Sequence, residues 1–389
     1  MRWPAKRISE SSAKSFGMFE KAMGLMAQGK DVISLAVGMP FADTPQHIKD
    51  ATKKALDEGK VHYSDFRGLP HFREALAKKV REYNGIEATT DEILVTNGLT
   101  HGSYAAFMAG IDPGDEVILL EPYYPQHINK IEMAGGKIVM APLDRDDNFR
   151  IRPDWIEARI TPKTRMIVLV NPANPTGRVY TREELEGLAA LAIKHDLLVL
   201  SDEVYDYILY DGNRHVSIAS LPGMRERTIT LFAFTKAYAM DGWRLGYAVA
   251  DKSFMPALLK ITMNDATHVN TFIQEGGYAA VTGPQDCLDI MHAEDERKRA
   301  LVVRSLNQMP GVKCAPPEGT IYAFPDVRGT GMSSAALAEA ILDKTHVVVE
   351  AGSFYGPAGE GHLRICFGAQ SYERMEEAMR RLAGFFSSL

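Results

Sequence analysis

Short runs of apolar residues alternate with amphipathic stretches through the middle of the chain. The runs are rich in Val, Ile and Leu and stop at Pro, Asn, Asp or Gly, which is typical of buried β-strands. The predicted strands are EILVT (92–96), EVILLEP (116–122), GKIVMAPL (136–143), RMIVLVNP (165–172), LLVLSDE (197–203), TITLFAF (228–234) and GYAVA (246–250).

Amphipathic patterns between these runs predict helices. One of them, TREELEGLAALAIKHD, opens with Thr181 and carries Glu184 three positions later, which is the pairing of a capping box. Strand–helix alternation predicts an α/β fold with a mostly parallel sheet flanked by helices. Active sites of such sheets lie at the carboxyl ends of the strands. Polar residues gather where these strands stop: Asn171, Asn174, Asp202, Tyr205 and Lys236.

The pattern changes after about Val281. A long charged helix (290–309) is followed by short strand candidates, which indicates a smaller α+β domain completed by N-terminal residues. We therefore predict a large domain over residues 45–280 and a small domain made of residues 1–44 and 281–389. The short candidates are TIYAFPDV (320–327), HVVVEAG (346–352) and HLRICFGA (362–369).

Composition narrows the classes of function. The 389 residues are 46% hydrophobic and 24% charged, which is typical of a globular protein. The net charge of −6 argues against nucleic-acid and acidic membrane partners. Cys287, Cys314 and Cys366 lack the spacing of a zinc site or a disulfide framework. The opening MRWPAKRISESS lacks the apolar core of a signal peptide and no long uncharged span follows, so we expect a cytoplasmic protein without a metal.

Lys236 is the first candidate for chemistry, since it lies among apolar and aromatic residues in LFAFTKAYAMDGWRLGYAVA (231–250). A partly desolvated amine near other cations loses its proton readily and becomes a nucleophile toward carbonyl groups, as a Schiff base requires. Taken alone, the position favours the ordinary alternative, a lysine that extends from a strand end to solvent.

Two further polar residues follow strands. Asp202, in VLSDEVYD, can hold the proton of a heteroaromatic nitrogen such as that of pyridoxal 5′-phosphate (PLP), although capping of the next turn explains it equally well. In NPANPTG (171–177) two prolines restrict the backbone, which would hold Asn174 where it can donate to a phenolate oxygen. The alternative for this turn is a plain connection between a strand and a helix.

TNGLTHGSYAAF (96–107) places Gly98 between a strand and a helix. Free amides at a helix N-terminus, with a glycine that allows close approach, form a phosphate cradle. Arg244 supplies a cation that can bind the same phosphate through two nitrogen atoms. As a lone glycine turn, the motif is weak.

In their order and spacing, these motifs resemble the class I and II aminotransferases, PLP enzymes of fold type I. The resemblance covers nearly the whole chain and makes coincidence implausible. The matching stretches are VISLAVGMPFADTPQHI (32–48), HYSDFRGLPHFREAL (62–76), DPGDEVILLEPYY (112–124), NPANPTG (171–177), SDEVY (201–205), TKAYAMDGWRLGY (235–247), PPEGTIYAFPD (316–326) and AGSFYGPAGEGHLRICF (351–367).

The resemblance implies PLP as cofactor and gives catalytic roles to Lys236, Asp202 and Tyr205. Lys236 would form the Schiff base and shuttle the substrate's α-proton, and Asp202 would pair with the pyridine nitrogen. Tyr205 and Asn174 would hydrogen-bond the phenolic oxygen. Arg364 would bind the substrate's α-carboxylate.

The resemblance also implies further contacts to the substrate and to the cofactor. Those to the substrate are Asn174 and the backbone at Gly38. Those to the cofactor are the backbone of Gly98, Leu99 and Thr100 together with Thr235 and Arg244 at the phosphate, Tyr124 stacked on the pyridine ring, and Tyr63 reaching the phosphate of a neighbouring subunit.

The chain departs from the family pattern at three positions. Ala233 stands where Ser or Gly is usual, so a hydroxyl ligand of the phosphate is missing, and Thr235 or a backbone amide is the candidate replacement. Asp241 and Ala351 stand where threonine and proline are common. These departures indicate a subgroup outside the best-studied aspartate enzymes.

The implied activity is transamination from an L-amino acid to a 2-oxo acid, 2-oxoglutarate or pyruvate, by ping-pong kinetics. A PLP-dependent β-lyase or synthase on the same fold is the alternative, because fold does not fix reaction. A PLP-sensing regulator fits poorly, since the roughly thirty residues before VISLAVG are too few for a DNA-binding module.

The substrate is less defined. An aspartate or glutamate enzyme needs a second cation for the distal carboxylate, and the sequence does not identify one. Phe16, Tyr63 and Tyr124 favour an apolar or aromatic amino acid, although ordinary packing explains them equally well. Family members form homodimers with active sites at the interface, and the role of Tyr63 requires one.

Overall fold

The computed structural model describes residues 3–12 and 17–389. Its strands are β1 (Ile33–Ser34), β2 (Ile93–Thr96), β3 (Glu116–Glu121), β4 (Lys137–Pro142), β5 (Thr164–Val170), β6 (Leu198–Asp202), β7 (Thr228–Ala233), β8 (Gly246–Val249), β9 (Tyr322–Ala323), β10 (Val347–Val348), β11 (Glu350–Ala351) and β12 (Leu363–Cys366). Its α-helices are α1 (Lys6–Ser9), α2 (Met18–Ala27), α3 (Gln46–Asp57), α4 (Pro70–Glu82), α5 (Gly98–Gly110), α6 (Gln126–Met133), α7 (Pro153–Glu157), α8 (Arg182–Lys194), α9 (Met255–Asp265), α10 (Thr271–Thr282), α11 (Asp286–Leu306), α12 (Ser334–Thr345) and α13 (Tyr372–Phe386).

Seven strands form the main sheet in the order β2-β8-β7-β6-β5-β3-β4. Neighbouring strands are parallel except at β8, which runs antiparallel to both β2 and β7. The predicted α/β fold with a mostly parallel sheet is therefore confirmed. All seven predicted runs form its strands.

The sheet is buried on both faces, which explains why its strands are continuous apolar runs. Along β3, Val117 and Leu119 join the core under α5 and α9. Ile118 and Leu120 point the other way and join the core under α8. The capping box that starts α8 is also present, with Thr181 accepting from the amide of Glu184 and the Glu184 side chain accepting from the amide of Thr181.

A second core is formed by residues from both ends of the chain. β1 pairs in parallel with β10, and the antiparallel strands β11, β12 and β9 lie beside α11, α12 and α13. Met18, Ala22 and Leu35 are buried in the same apolar cluster as Ile341 and Leu382. Within residues 3–12 and 17–389, no helix combines the length and apolarity needed to cross a bilayer.

Candidate active site

The carboxyl ends of β5, β6 and β7 lie side by side and place the central polar residues. The backbone amide of Asn171, one residue after β5, donates to the carbonyl of Asp202 at 3.0 Å. Asp202 is the last residue of β6, and Lys236 follows β7 by three residues. This meeting of strand ends is the arrangement expected for a ligand site in a parallel sheet.

The Lys236 amine is partly buried and donates a hydrogen bond to the backbone carbonyl of Gly38. Burial, together with the positive charges of Arg364 and Arg244, lowers the pKa of Lys236 to about 8. The amine is therefore partly neutral near neutral pH, the state in which a lysine is nucleophilic.

Asp202 is buried, and its carboxylate lies 3.4 Å from Nε2 of His127. His127 is fully enclosed in the first turn of α6, and this burial lowers its pKa. Tyr124 meets the His127 ring edge to face, with centroids 5.3 Å apart. Sequence reasoning missed His127, which stands in the turn after Tyr124, where its amide donates to the Tyr124 carbonyl at 3.2 Å.

The Arg244 guanidinium lies against Gly98 at the start of α5. Gly98 has a φ of 77°, and a Cβ atom built there would lie 2.5 Å from Nη2 of Arg244, so only glycine allows the guanidinium to approach the helix N-terminus this closely. Arg244 itself has a φ of 54°, and its Nη1 donates to the carbonyl of Asp241 at 2.8 Å. Leu99 is buried and Thr100 is exposed on the same helical turn. A guanidinium beside the first amides of a helix is the arrangement of an anion site.

Arg364 lies on β12 with its guanidinium buried. Its Nη1 donates to Oδ1 of Asn174 at 3.0 Å, and its Nη2 donates to the backbone carbonyl of Ala36. The rings of Tyr322 and Tyr355 lie 4.4 and 4.9 Å from the guanidinium carbon. These contacts fix the plane of the guanidinium, as bidentate carboxylate binding requires.

The hydroxyl groups of Tyr205 and Tyr322 lie 2.8 Å apart, and both rings are buried. Burial raises the pKa of Tyr205 well above that of a free tyrosine, so its hydroxyl stays protonated and can donate. Tyr322 is the second residue of this site that sequence reasoning missed. It lies 117 positions from Tyr205, a separation that no local pattern reveals.

Of the other predicted site residues, Tyr63 lies at the surface and Thr235 is the chain neighbour of Lys236. Tyr63 is 86% exposed, and its ring packs edge to face on His268, with centroids 5.3 Å apart. Thr235 is partly exposed beside Lys236, and Ala233 ends β7. Phe16 lies outside the described residues.

Comparison with known proteins gives matches over nearly the whole chain. A family model described as aminotransferase class I and II matches residues 30–382. An aromatic-amino-acid aminotransferase of Thermococcus litoralis is 41% identical over 371 residues, covering 94% of this chain and 93% of the relative. An aspartate aminotransferase of Pyrococcus abyssi is also 41% identical over 371 residues, with the same coverage.

Solved structures give the same result. The aromatic aminotransferase from Pyrococcus horikoshii is 40% identical, with a TM-score of 0.92 over 99% of this chain and 98% of that chain. A likeness at this identity and coverage extends to the whole fold, both the main sheet and the second core.

Proposed function

This chain belongs to the class I and II aminotransferases, and we propose that, within this family, its amino donor is an aromatic L-amino acid. The chain is a PLP-dependent aminotransferase, which moves the amino group of an L-amino acid to a 2-oxo acid. The comparisons give no support to the lyase or synthase alternative. The donor and the residue roles below are the proposal.

The described residues fit PLP, which supplies an electron sink when bound. The Arg244 guanidinium beside the first amides of α5, a close approach that Gly98 allows, suits the phosphate. Asp202, supported by His127, suits the protonated pyridine nitrogen, and Tyr124 borders the same region. The further groups assigned to the cofactor are the backbone of Leu99 and Thr100, the Thr235 side chain near the phosphate, and Asn174 and Tyr205 at the phenolic oxygen.

Lys236 is proposed to bind the cofactor and to move the substrate's α-proton through Nζ. The observation that carries this role is the position of its amine, held by the Gly38 carbonyl beside two arginines, with a pKa near 8. An amine poised near the working pH both takes and returns a proton readily.

Arg364 is proposed to bind the α-carboxylate of the substrate. Its guanidinium is held by Asn174 and the Ala36 carbonyl, and Tyr322 lies against both this guanidinium and the backbone of Gly38. An oriented guanidinium fork is the preferred partner of a carboxylate.

The aromatic donor is supported by what surrounds the substrate's side chain. Within residues 3–12 and 17–389 of one subunit, the cations that act on Lys236 are Arg244 and Arg364, and the proposal assigns them to the phosphate and the α-carboxylate, so neither is left for a distal carboxylate of the substrate. Tyr124 and Tyr322 supply aromatic surface. The relative from Thermococcus litoralis is named for aromatic amino acids, and we propose 2-oxoglutarate or pyruvate as acceptor in a ping-pong cycle.

Two features of organisation belong to the proposal. We assign residues 45–280 to a large domain and residues 1–44 and 281–389 to a small one, supported by the pairing of β1 with β10 and their shared core. We also propose a homodimer, supported by the exposed apolar side chains of Val61, Tyr63 and Phe66 on one segment.

The test is the visible spectrum of the purified protein with PLP, followed by single L-amino acids without an oxo acid. We expect the band of the bound cofactor to bleach fastest with phenylalanine or tyrosine and to return on adding 2-oxoglutarate or pyruvate. Lys236→Ala should abolish this cycle, whereas the exposed Lys252→Ala should retain it. Faster bleaching by aspartate would refute the aromatic donor, and a band that persists while ammonia accumulates would refute the transamination cycle.

A further inference from the structure

Tyr322 connects the two halves of the site. Its hydroxyl lies 2.8 Å from that of Tyr205, and its ring lies 4.4 Å from the guanidinium carbon of Arg364. A Cβ atom at Gly38 would overlap the Tyr322 hydroxyl, so the glycine leaves the room that the hydroxyl occupies. One side chain therefore contacts the proposed cofactor side and the proposed substrate side.

The direction of the hydroxyl–hydroxyl bond follows from the role of Tyr205. A tyrosine hydroxyl has one proton to donate. If Tyr205 donates that proton to the phenolic oxygen of PLP, its own oxygen must accept the bond from Tyr322. A donor that also accepts a hydrogen bond is polarised and donates more strongly.

The ring of Tyr322 acts on a different partner. Together with Tyr355 it borders the guanidinium of Arg364, whose edge is already held by Asn174 and Ala36. A cation next to an aromatic face is attracted to it, and this attraction is larger in a buried site. Removing the ring would free the guanidinium to tilt away from the orientation that a carboxylate needs.

We propose that Tyr322 is a positioning residue that sets both the hydroxyl of Tyr205 and the guanidinium of Arg364. The proposal rests on the proposed roles of Tyr205 and Arg364. Its two parts are separable, because Tyr322→Phe removes the hydroxyl and keeps the ring, whereas Tyr322→Leu removes both.

The hydroxyl is tested by titrating the visible band of the bound cofactor. In Tyr322→Phe we expect the midpoint of this titration to move to higher pH. Tyr205 would then donate a weaker hydrogen bond, and the deprotonated phenolic oxygen of the cofactor would be less stabilised. The shift should have the same direction as in Tyr205→Phe and be smaller. The dissociation constant of PLP from the apoprotein should rise about threefold, as expected for loss of one weak hydrogen bond. In the Tyr205→Phe background, Tyr322→Phe should add nothing.

Tyr210→Phe is the matched control, because it removes another buried hydroxyl from the same apolar core. The Tyr210 hydroxyl donates to the carbonyl of Thr320 at 2.9 Å and is not part of the Tyr205–Tyr322 hydroxyl pair. We expect its midpoint to match the wild type. An unshifted midpoint in Tyr322→Phe beside a shifted one in Tyr205→Phe would overturn the proposal, and so would a shift of equal size in Tyr210→Phe.

The role of the Tyr322 ring is tested by measuring KM for the amino donor. In Tyr322→Leu we expect KM to rise about tenfold, consistent with the loss of a buried cation–π contact, while Tyr322→Phe stays within about twofold of the wild type. Equal KM values in Tyr322→Phe and Tyr322→Leu would refute the role of the ring. Tyr322→Met replaces Tyr322→Leu if that variant does not fold. Failure of the wild type to give any cofactor band would instead refute the proposed function.

Discussion

At the scale of single residues, Lys236 and Arg364 show two solutions to burying a positive charge. An unpaired buried cation is costly. Lysine can lower this cost by giving up its proton, and the pKa of Lys236 falls to about 8. A guanidinium stays protonated, so Arg364 instead has hydrogen bonds to Asn174 and Ala36 and two flanking rings. Lys236 is therefore suited to proton transfer, whereas Arg364 keeps its charge and is suited to binding a carboxylate.

Gly98→Ala is expected to weaken PLP binding. Its φ of 77° costs an L-residue roughly 1–2 kcal/mol, and its new methyl group would overlap the Arg244 guanidinium. Displacing that cation from the phosphate should raise the PLP dissociation constant by at least about tenfold. Fluorescence titration of the apoprotein measures it.

Gly24→Ala is the control for this prediction. Gly24 lies inside α2, and a methyl group there would meet no atom of the described residues within 4 Å. Alanine is also the better helix former, so this variant should be slightly more stable and should bind PLP normally. Normal PLP affinity in Gly98→Ala would show that the phosphate lies elsewhere.

At the scale of elements, Glu350 joins β11 to the start of α2. Both carboxylate oxygens accept from the backbone amide of Met18, at 3.2 and 3.3 Å. Burial raises the pKa of Glu350 to about 7, against the opposing charge of Arg364. Glu350 faces Arg364 directly across the β11–β12 pair, so a titrating group lies next to the proposed carboxylate site.

Glu350→Gln is expected to change the pH dependence of stability. A raised native pKa contributes stability that is present below the unfolded value near 4.5 and lost as pH rises through 7. The free energy of unfolding of the variant, minus that of the wild type, should therefore be larger at pH 8 than at pH 5 by on the order of 2 kcal/mol, because only the wild type loses stability over this range. Denaturant titrations at both pH values measure it.

The exposed Glu82→Gln is the control, and its difference from wild type should be the same at both pH values. The same constant difference in Glu350→Gln would mean that the Glu350 carboxyl is ionised in the native state already at pH 5.

Some of the elements could be predicted from the sequence, whereas the pairing between them could not. Runs such as EVILLEP were recognisable because strands buried on both faces need apolar residues at every position. The antiparallel insertion of β8 between β2 and β7 has no local signature. For the same reason, Lys236 and Asp202 could be proposed from motifs, whereas the contacts of His127 and Tyr322 depend on residues brought together only by folding.

At the scale of the whole molecule, the exposure of Tyr63 requires an explanation. Its ring is 86% exposed and is followed along the chain by the half-exposed Phe66. Large apolar side chains exposed close together are typical of an interface. A second copy of the chain would cover it, and the proposed role of Tyr63 at the partner's phosphate would account for it.

A hybrid dimer tests whether Tyr63 acts across the interface. One subunit carries Lys236→Ala and the other carries Tyr63→Leu, with different affinity tags for purification. If Tyr63 serves the neighbouring site, one site of the hybrid combines an intact Lys236 with an intact Tyr63. We expect that site to bind PLP with wild-type affinity, whereas the Tyr63→Leu homodimer should bind about 10- to 100-fold more weakly.

The mirror hybrid makes this test decisive. It pairs a wild-type subunit with one that carries both Lys236→Ala and Tyr63→Leu, so the total set of substitutions is unchanged. Action across the interface predicts weak PLP binding here, because the site with the intact lysine faces the altered tyrosine. If Tyr63 served its own subunit, the two hybrids would exchange behaviour, and equal affinity in both would place Tyr63 away from the phosphate altogether.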